Sequence, residues 1–387
     1  MWFFNSPRIV FGEDALEDLE HLEGQRAFLV TDANMVKFGF VHRIQGYLGE
    51  AGIESQVFSE VEPEPSLQTV RRCAETMTAY QPDWIIGLGG GSSMDAAKAA
   101  WLLYENPDAD ESAINPLETY GLRSKARLIA IPTTPGTGSE ATWATVLTDT
   151  ERQMKLSLGT YEVLPDIAIV DPSLVASLPP RITADTGMDV LTHAVEGYTS
   201  QRHNDFSDGM CLQAAKLVFA YLPRAYADGS DVEAREHMHN AATIAGLGFG
   251  NSMAALAHAM GHSMGAVFHV PHGRSVALFL PYVIEFTANG GDSRYADIAH
   301  SLGLPAGDEV QGAASLVAAI RRLQASIDFA ASVQALGIQR EAYIAALPKL
   351  IENAESDNQL FFNLRFADSE DLRRLFEYAY EGRSVDF

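Results

Sequence analysis

The chain has 387 residues, of which 47 % are hydrophobic and 20 % are charged, and its formal net charge is −24. This length predicts at least two domains, and the negative charge argues against nucleic acid or an anionic membrane as a partner because both would be repelled. No signal peptide, membrane-length apolar run or paired cysteine motif is apparent, so we predict a cytoplasmic protein without a disulfide framework.

The first half of the chain alternates short β-branched runs with helical patterns, which is typical of an α/β domain with a largely parallel sheet. Strands are predicted at residues 26–32, 55–58, 83–90, 127–134 and 166–172. Helices are predicted at "SLQTVRRCAETMTAY" and "SSMDAAKAAWLLY", each with serine at its start in the N-cap role. This alternation predicts a nucleotide-binding domain over residues 1–180.

A glycine-rich loop, "GLGGGSS", lies between a predicted buried strand and a predicted helix. Glycines allow a close backbone approach, and a helix amino end offers unpaired N–H groups, so a diphosphate is the natural ligand. The alternative is a tight turn without a ligand. The loop also lies outside the usual G-x-G-x-x-G pattern, which opens the first βα unit.

Two further loops follow predicted strands and could contribute to the same site. Asp32, at a strand end, could accept the hydroxyls of an adenosine ribose and would repel a 2′-phosphate, which favours NAD, although a strand-end turn would also explain it. In "IPTTPGTGSEAT", Thr133, Thr134 and Thr137 could donate to phosphate or ribose oxygens. Three such loops at successive strand ends favour a ligand, because ligands of open α/β sheets bind at the carboxyl edge.

After "LVASLPPRITADTGMD" the β-branched runs largely vanish, and Ala- and Leu-rich stretches with amphipathic helical spacing continue to the end of the chain. We therefore predict an all-helical second domain over residues 181–387.

Two clusters in this half carry metal-binding residue types. Asp189 and His193 are four residues apart, so on a helix both side chains can reach one ion. His258 and His262 have the same spacing, and Pro271 and Gly273 predict a turn that returns His272 to that helix. Asp189 and His193 with two of these three histidines would make an N3O set for Zn²⁺ or Fe²⁺.

Four motifs together, "GGGSSMDAAKA", "IPTTPGTGSEAT", "TGMDVLTHAVEGY" and "HAMGHSMGAVFHVPHG", resemble those of the iron-containing (group III) alcohol dehydrogenases in order and separation. The resemblance extends from "SPRIVFG" to the closing helices. It implies a Rossmann-like NAD-binding domain followed by a helical domain, with the active site in the cleft between them, as in the dehydroquinate synthase-like fold. It also implies a homo-oligomer, a dimer or larger.

The resemblance assigns roles by position. The metal, with Fe²⁺ favoured and Zn²⁺ as the alternative, would be held by Asp189, His193, His258 and His272. His262 would relay protons near the nicotinamide, and the role of His269 stays open. NAD(H) would contact Asp32, Gly90, Gly91, Ser92, Thr133, Thr134, Thr137 and Lys155. The substrate-pocket candidates are Trp143, Ala144, Phe249 and Phe268.

Three positions depart from the family pattern. Pro135 stands where Ala is common, Glu64 stands where Asn is common, and Leu364 replaces the proline of a common "NPR". All four ligand positions are intact.

The implied reaction is reversible hydride transfer between NAD(H) and a short primary alcohol or diol and its aldehyde, with the metal as Lewis acid. The alternatives are a glycerol dehydrogenase-like or dehydroquinate synthase-like member of the same superfamily. The latter lyase needs several basic residues for its substrate, whereas Arg274 is the only basic neighbour of "VPHG". A non-catalytic binding protein would more readily have lost a metal ligand.

Overall fold

A computed structural model of the protein describes residues 3–152, 154–291 and 293–387. Within it the chain divides into two units, Met1–Ser177 and Leu178–Phe387. That the first binds NAD and the second binds metal stays a prediction, as does an active site in a cleft between domains.

A parallel sheet forms the centre of the first unit. The strands of the unit are β1 (Arg8–Phe11), β2 (Arg26–Val30), β3 (Glu54–Phe58), β4 (Trp84–Gly89), β5 (Arg127–Pro132), β6 (Ala144–Asp149), β7 (Met154–Gly159) and β8 (Ile167–Val170). In the described residues, six of them pair in parallel in the order β1-β8-β5-β4-β2-β3, whereas β6 and β7 form a separate antiparallel pair. Each residue of β4 is buried, because neighbouring strands flank it and helices cover a parallel sheet on its faces.

Four helices of the first unit connect these strands in the described residues: α1 (Ala33–Lys37), α2 (Phe40–Glu50), α3 (Leu67–Tyr80) and α4 (Gly91–Glu105). Ser66 caps α3 as predicted, accepting a hydrogen bond from the Thr69 N–H at 3.2 Å. The N-cap role predicted for serine at the start of α4 is wrong. Gly90 is the N-cap there, and Ser92 is already inside the first turn.

The described residues of the second unit form helices joined by loops, without a β-strand. Its helices are α5 (Pro180–Thr199), α6 (Asp205–Ala227), α7 (Val232–Gly250), α8 (Leu256–Phe268), α9 (His272–Asn289), α10 (Tyr295–Ser301), α11 (Glu309–Ser326), α12 (Arg340–Ser356) and α13 (Ser369–Glu381). Helix α5 packs against α6, α7 and α9. The core is continuous and contains Met188, Leu222, Met238, Phe279 and Phe376, none more than 1 % exposed.

The predicted fold class, a parallel α/β domain followed by a helical one, is therefore confirmed. No helix in the described part of the chain combines the length and the apolar character that a membrane span requires.

Candidate active site

The four candidate metal ligands lie together in the helical unit. Asp189 and His193 are one turn apart on α5, His258 is in the first turn of α8, and His272 is the first residue of α9. Their ligand atoms all lie within 4.8 Å of one another. Asp189 Oδ1 is 3.8 Å from His193 Nδ1, 3.8 Å from His258 Nε2 and 3.7 Å from His272 Nε2.

The cluster is desolvated, and two of its atoms have unsatisfied hydrogen-bonding capacity. Asp189, His193 and His258 are buried, whereas the His272 side chain is 30 % exposed. Among the described residues, Asp189 Oδ1 and His258 Nε2 have no hydrogen-bond partner. Leaving buried polar atoms unpaired is costly, and a cation contacting both would remove that cost. Three imidazoles and one carboxylate therefore fit a divalent ion such as Fe²⁺ or Zn²⁺.

The charges around the cluster also favour a bound cation. Burial raises the pKa of Asp189 to about 7, against the opposing effect of His258, and the carboxylates of Asp185 and Glu196 reinforce the rise. Asp189 thus lies between two other carboxylates of α5. A divalent cation would favour its ionised form.

Glu196 is a functional candidate that the sequence reasoning missed. Its Oε2 is 2.5 Å from His258 Nδ1, and its carboxylate accepts the backbone N–H groups of Ala255 at 3.0 Å and Ala257 at 2.5 Å. When His258 Nδ1–H donates to this carboxylate, the Nε2 lone pair is left for a metal. The available signal was spacing, because Asp189, His193 and Glu196 stand at i, i+4 and i+7 on α5.

His262 lies beside the cluster and contributes no ligand atom to it. Its Nδ1 is 2.7 Å from Asp357 Oδ2, and its ring stacks on His272 with centroids 5.2 Å apart. Burial alone would raise the pKa of Asp357, but His262, the Gln359 N–H and His258 together outweigh burial, and the pKa is lowered. Asp357 was also missed, since 95 residues separate it from His262.

His269 occupies the turn between α8 and α9. It is exposed, and its φ of 54° ends α8 in the left-handed region. The turn predicted around His272 is thus displaced, because it precedes that residue and Gly273 already belongs to α9.

In the α/β unit, the three predicted loops meet at the carboxyl edge of the sheet. They follow β2, β4 and β5, which are neighbours in the sheet. Asp32 caps α1, accepting the Asn34 N–H at 2.7 Å, and its Oδ2 is 3.5 Å from where a Cβ on Gly89 would lie. A Cβ on Gly91 would be only 2.9 Å from Thr137 Cγ2, so glycine is required for this approach.

The remaining cofactor candidates line the same region. A Cβ on Gly90 would be 3.2 Å from Thr134 Oγ1, and the Thr133 N–H donates to the Gly89 carbonyl at 2.9 Å. Ser92 Oγ accepts the Glu64 N–H at 3.2 Å. Lys155 Nζ is 2.5 Å from Glu64 Oε1. Glu64, the departure from the family pattern, therefore links two predicted cofactor residues.

The four substrate-pocket candidates have well-defined neighbours. In the α/β unit, Trp143 packs on Tyr161 with ring centroids 4.7 Å apart, and the Ala144 carbonyl accepts from Lys98 Nζ at 3.0 Å. In the helical unit, Phe249 stacks on His193 at 4.0 Å and Phe268 stacks on Tyr343 at 5.8 Å. Phe249 is thus in direct contact with a candidate metal ligand, whereas Phe268 packs on the core residue Tyr343.

Two family models match the two halves of the chain. "Iron-containing alcohol dehydrogenase" matches residues 6–172, and "Fe-containing alcohol dehydrogenase family, C-terminal" matches residues 183–380. The chain belongs to the iron-containing alcohol dehydrogenase family. The predicted family is confirmed, and with it the predicted enzyme class, an oxidoreductase acting on CH–OH groups.

Individual relatives support the same family. An NADPH-dependent butanol dehydrogenase of Clostridium saccharobutylicum is 40 % identical over the full length of both chains. The structure of a 1,3-propanediol oxidoreductase is 33 % identical, with a TM-score of 0.90 over 98 % of this chain and 100 % of that one. A sulfoacetaldehyde reductase from Bifidobacterium kashiwanohense in complex with NAD⁺ is 29 % identical, with a TM-score of 0.86 over 98 % of each chain.

Some relatives are longer than this chain. An aldehyde-alcohol dehydrogenase of Entamoeba histolytica is 38 % identical over 98 % of this chain, which spans 46 % of that protein.

The structure weakens the dehydroquinate synthase-like alternative, which needs basic residues to hold its substrate. Arg274, the one basic neighbour of "VPHG", is already paired, because its Nε donates to Asp185 Oδ1 at 2.7 Å.

Proposed function

We propose that this family member is a metal- and NAD(H)-dependent alcohol dehydrogenase that acts reversibly on short primary alcohols or diols and their aldehydes. The observation that carries the proposal is the convergence of Asp189, His193, His258 and His272, whose ligand atoms lie within 4.8 Å of one another. A buried N3O set with unpaired Asp189 Oδ1 and His258 Nε2 suits a divalent ion better than it suits a packed core.

These four residues would hold the ion, for which the family favours Fe²⁺ over the chemically suitable Zn²⁺. A divalent ion bound there supplies Lewis acidity, which polarises the carbonyl of an aldehyde or lowers the pKa of an alcohol. Glu196 fixes the ring orientation of His258 through Nδ1. Phe249, stacked on His193 at 4.0 Å, limits the rotation of that ring and presents an apolar face to a short alkyl chain.

His262 is the proton relay of the proposed reaction. Because its Nδ1 is held by Asp357 at 2.7 Å, Nε2 is the ring nitrogen that exchanges a proton with substrate or water. An imidazole suits this task because its ordinary pKa is near neutrality. Bound NAD(H) would supply the hydride acceptor or donor, and His262 would take up or return the proton of the alcohol.

The carboxyl edge of the sheet is the proposed NAD(H) site. The amino end of α4, with Gly90, Gly91 and Ser92, would take the diphosphate, and Thr133, Thr134, Thr137 and Lys155 would take other parts of the cofactor. Asp32 would accept the ribose hydroxyls and disfavour a 2′-phosphate. The butanol dehydrogenase relative is named as NADPH-dependent, so the choice of cofactor must be measured with both.

A cytoplasmic location and a homo-oligomer, dimer or larger, complete the proposal. The two cysteines support a reducing compartment, since Cys73 and Cys211 are both free and buried. Trp143, Ala144, Phe249 and Phe268 are the proposed pocket residues.

A cofactor and metal panel tests the proposal. The purified chain is stripped of metal, reloaded separately with Fe²⁺, Zn²⁺, Ni²⁺ or Mn²⁺, and assayed for oxidation of NADH and NADPH with propanal, butanal and 3-hydroxypropanal. We expect oxidation with at least Fe²⁺ and a preference for NADH. Absence of oxidation with every pairing would overturn the proposed function.

A further inference from the structure

A buried lysine and a buried aspartate lie near the dinucleotide edge, and the reaction outlined above uses neither. Lys98, in the middle of α4, is fully buried, although lysine is almost never buried without a partner. Its Nζ donates to the Ser139 carbonyl at 2.7 Å, to Ser139 Oγ at 2.8 Å and to the Ala144 carbonyl at 3.0 Å. With Thr142 Oγ1 at 3.5 Å, four oxygens of residues 139–144 thus surround the three ammonium hydrogens.

Asp95, one turn earlier on α4, also forms hydrogen bonds to this part of the chain. It accepts Ser139 Oγ–H at 2.7 Å and the Val146 N–H at 2.9 Å. Burial lowers the pKa of Lys98 to about 8 against the opposing charges of Asp95 and Glu140, and burial raises the pKa of Asp95. Two buried opposite charges contribute little to stability, since apolar side chains of similar volume often give an equally stable or more stable protein.

The network connects the two halves of the proposed diphosphate site. The Ser139 N–H donates to Thr137 Oγ1 at 3.2 Å. Thr137 in turn packs against Gly91, where a Cβ would be 2.9 Å from Thr137 Cγ2. Asp95 and Lys98 stand on the helix that begins with Gly91. Helix α4 therefore carries both the amino end proposed to bind the diphosphate and the two charged residues that hold the loop "IPTTPGTGSEAT" beside that end.

We propose that Asp95, Lys98 and Ser139 are positioning residues for the dinucleotide, holding Thr137 and the backbone of its loop against the amino end of α4. The proposal rests on the proposed function, because it assigns the network to binding of the cofactor diphosphate. Without the network, the loop is free to move away from α4. Its phosphate donors must then be ordered when the dinucleotide binds, which weakens binding.

Three substitutions test the network, and a fourth provides the control. Lys98→Met and Asp95→Asn remove one charge each, whereas Ser139→Ala removes only the hydroxyl that joins them. Tyr104→Phe, at the far end of α4, removes the buried hydrogen bond from Tyr104 Oη to the Pro82 carbonyl and leaves the dinucleotide edge untouched. The readouts are the Kd for NADH from its fluorescence, KM and kcat for NADH with an aldehyde, thermal stability and metal content.

We expect the network variants to weaken NADH binding and raise its KM by about tenfold, the size of one lost charge-assisted hydrogen bond. The kcat of Asp95→Asn and Ser139→Ala at saturating NADH and aldehyde, and the metal content of all three variants, should stay within about twofold of the unmodified chain, because the metal site belongs to the other unit. Ser139→Ala decides the matter if the charge variants do not fold. Network variants that bind NADH as tightly as Tyr104→Phe at equal thermal stability would overturn the inference. An unmodified chain that fails to bind NADH would instead overturn the proposed function.

Discussion

The ring nitrogens of two histidines of "HAMGHSMGAVFHVPHG" meet different carboxylates, and this difference supports the different roles proposed for them. His258 Nδ1 faces Glu196, which leaves Nε2 buried and unpaired near Asp189. His262 Nδ1 faces Asp357, and that residue keeps the ring beside the cluster as a relay candidate. The carboxylate behind each ring thus distinguishes the proposed ligand His258 from the proposed relay His262.

The Glu196 contact yields a test of this argument. Replacing Glu196 by Gln removes the charge that orients His258, and we expect metal affinity to fall by about 10–100-fold, as for other second-layer carboxylates. Metal competition with a chelator measures the Kd. Thr192→Val is the control, because it removes a buried hydrogen bond to the Met188 carbonyl on the same helix. Equal Kd values for the two variants would contradict the role of Glu196.

Asp32 yields a second test at the same scale. Asp32→Ser keeps an N-cap for α1 but removes the charge, so we expect the NADPH/NADH ratio of kcat/KM to rise by about tenfold or more as repulsion of the 2′-phosphate is lost. Asp308→Ser, at the N-cap of α11, is the control for charge and capping. An unchanged ratio for Asp32→Ser would show that cofactor choice is made elsewhere.

At the scale of elements, the metal cluster depends on how closely α5, α8 and α9 approach one another. Two glycines at their contacts permit this approach. A Cβ on Gly273 would be 2.3 Å from the Asp185 carbonyl oxygen, and a Cβ on Gly261 would be 2.5 Å from Val276 Cγ1. Arg274 then pairs with Asp185 next to the first contact. The candidate ligands on three helices can reach one point because glycine at each contact lets the helix axes come close together.

Gly273→Ala tests this close approach. The new methyl group forces α9 away from α5, so we expect a loss of about 1–3 kcal/mol in unfolding free energy and weaker metal binding as His272 moves. Gly209→Ala is the control, because Gly209 is an exposed position of α6 where a Cβ meets no atom within 4 Å. That control should gain about 0.5–1 kcal/mol from helix propensity. Equal stability of the two variants in urea unfolding would contradict the packing argument.

The sequence predicted elements well where periodicity and length were both strong. The predicted strands at 26–32, 55–58, 83–90, 127–134 and 166–172 correspond to β2, β3, β4, β5 and β8. The edge strand β1 and the β6–β7 hairpin were not predicted. The four residues of half-exposed β1 carry little periodic signal, and no prediction was made for "ATVLTD" or "MKLSLG", which form β6 and β7.

Site residues were predictable where ligands share a helix or a motif. Asp189 with His193, and His258 with His262, show the i, i+4 spacing, but spacing alone could not separate ligand from relay. That choice came from the family resemblance. Asp357 and Ser139 carry no local signal, because their partners His262 and Lys98 are 95 and 41 residues away. Only the folded chain brings such pairs together.

At the scale of the whole molecule, the proposed chemistry is divided between two units. Dinucleotide candidates belong to residues 1–177, whereas the metal cluster belongs to residues 178–387. Hydride transfer requires the two reactants to meet in the working enzyme. In the proposal, each ligand nevertheless binds to residues of its own unit.

Hydrogen exchange tests this division. A ligand at 100 times its Kd raises the free energy of any local opening that destroys its site by about 2.7 kcal/mol. We expect metal to slow amide exchange in α5 and in the first turns of α8 and α9, and NADH to slow it at residues 89–93 and 133–142. Metal that leaves α5 unprotected, or NADH that leaves residues 89–93 unprotected, would contradict the assignment.

The central claim is that Asp189, His193, His258 and His272 hold one ion while His262 moves protons. Metal content and aldehyde reduction measured together on His258→Gln and His262→Gln test it most directly, with exposed His269→Asn as the control. We predict that His258→Gln loses both metal and activity, whereas His262→Gln retains one ion per chain and loses about 100-fold or more in kcat. Metal and activity that both survive in His258→Gln would contradict the account.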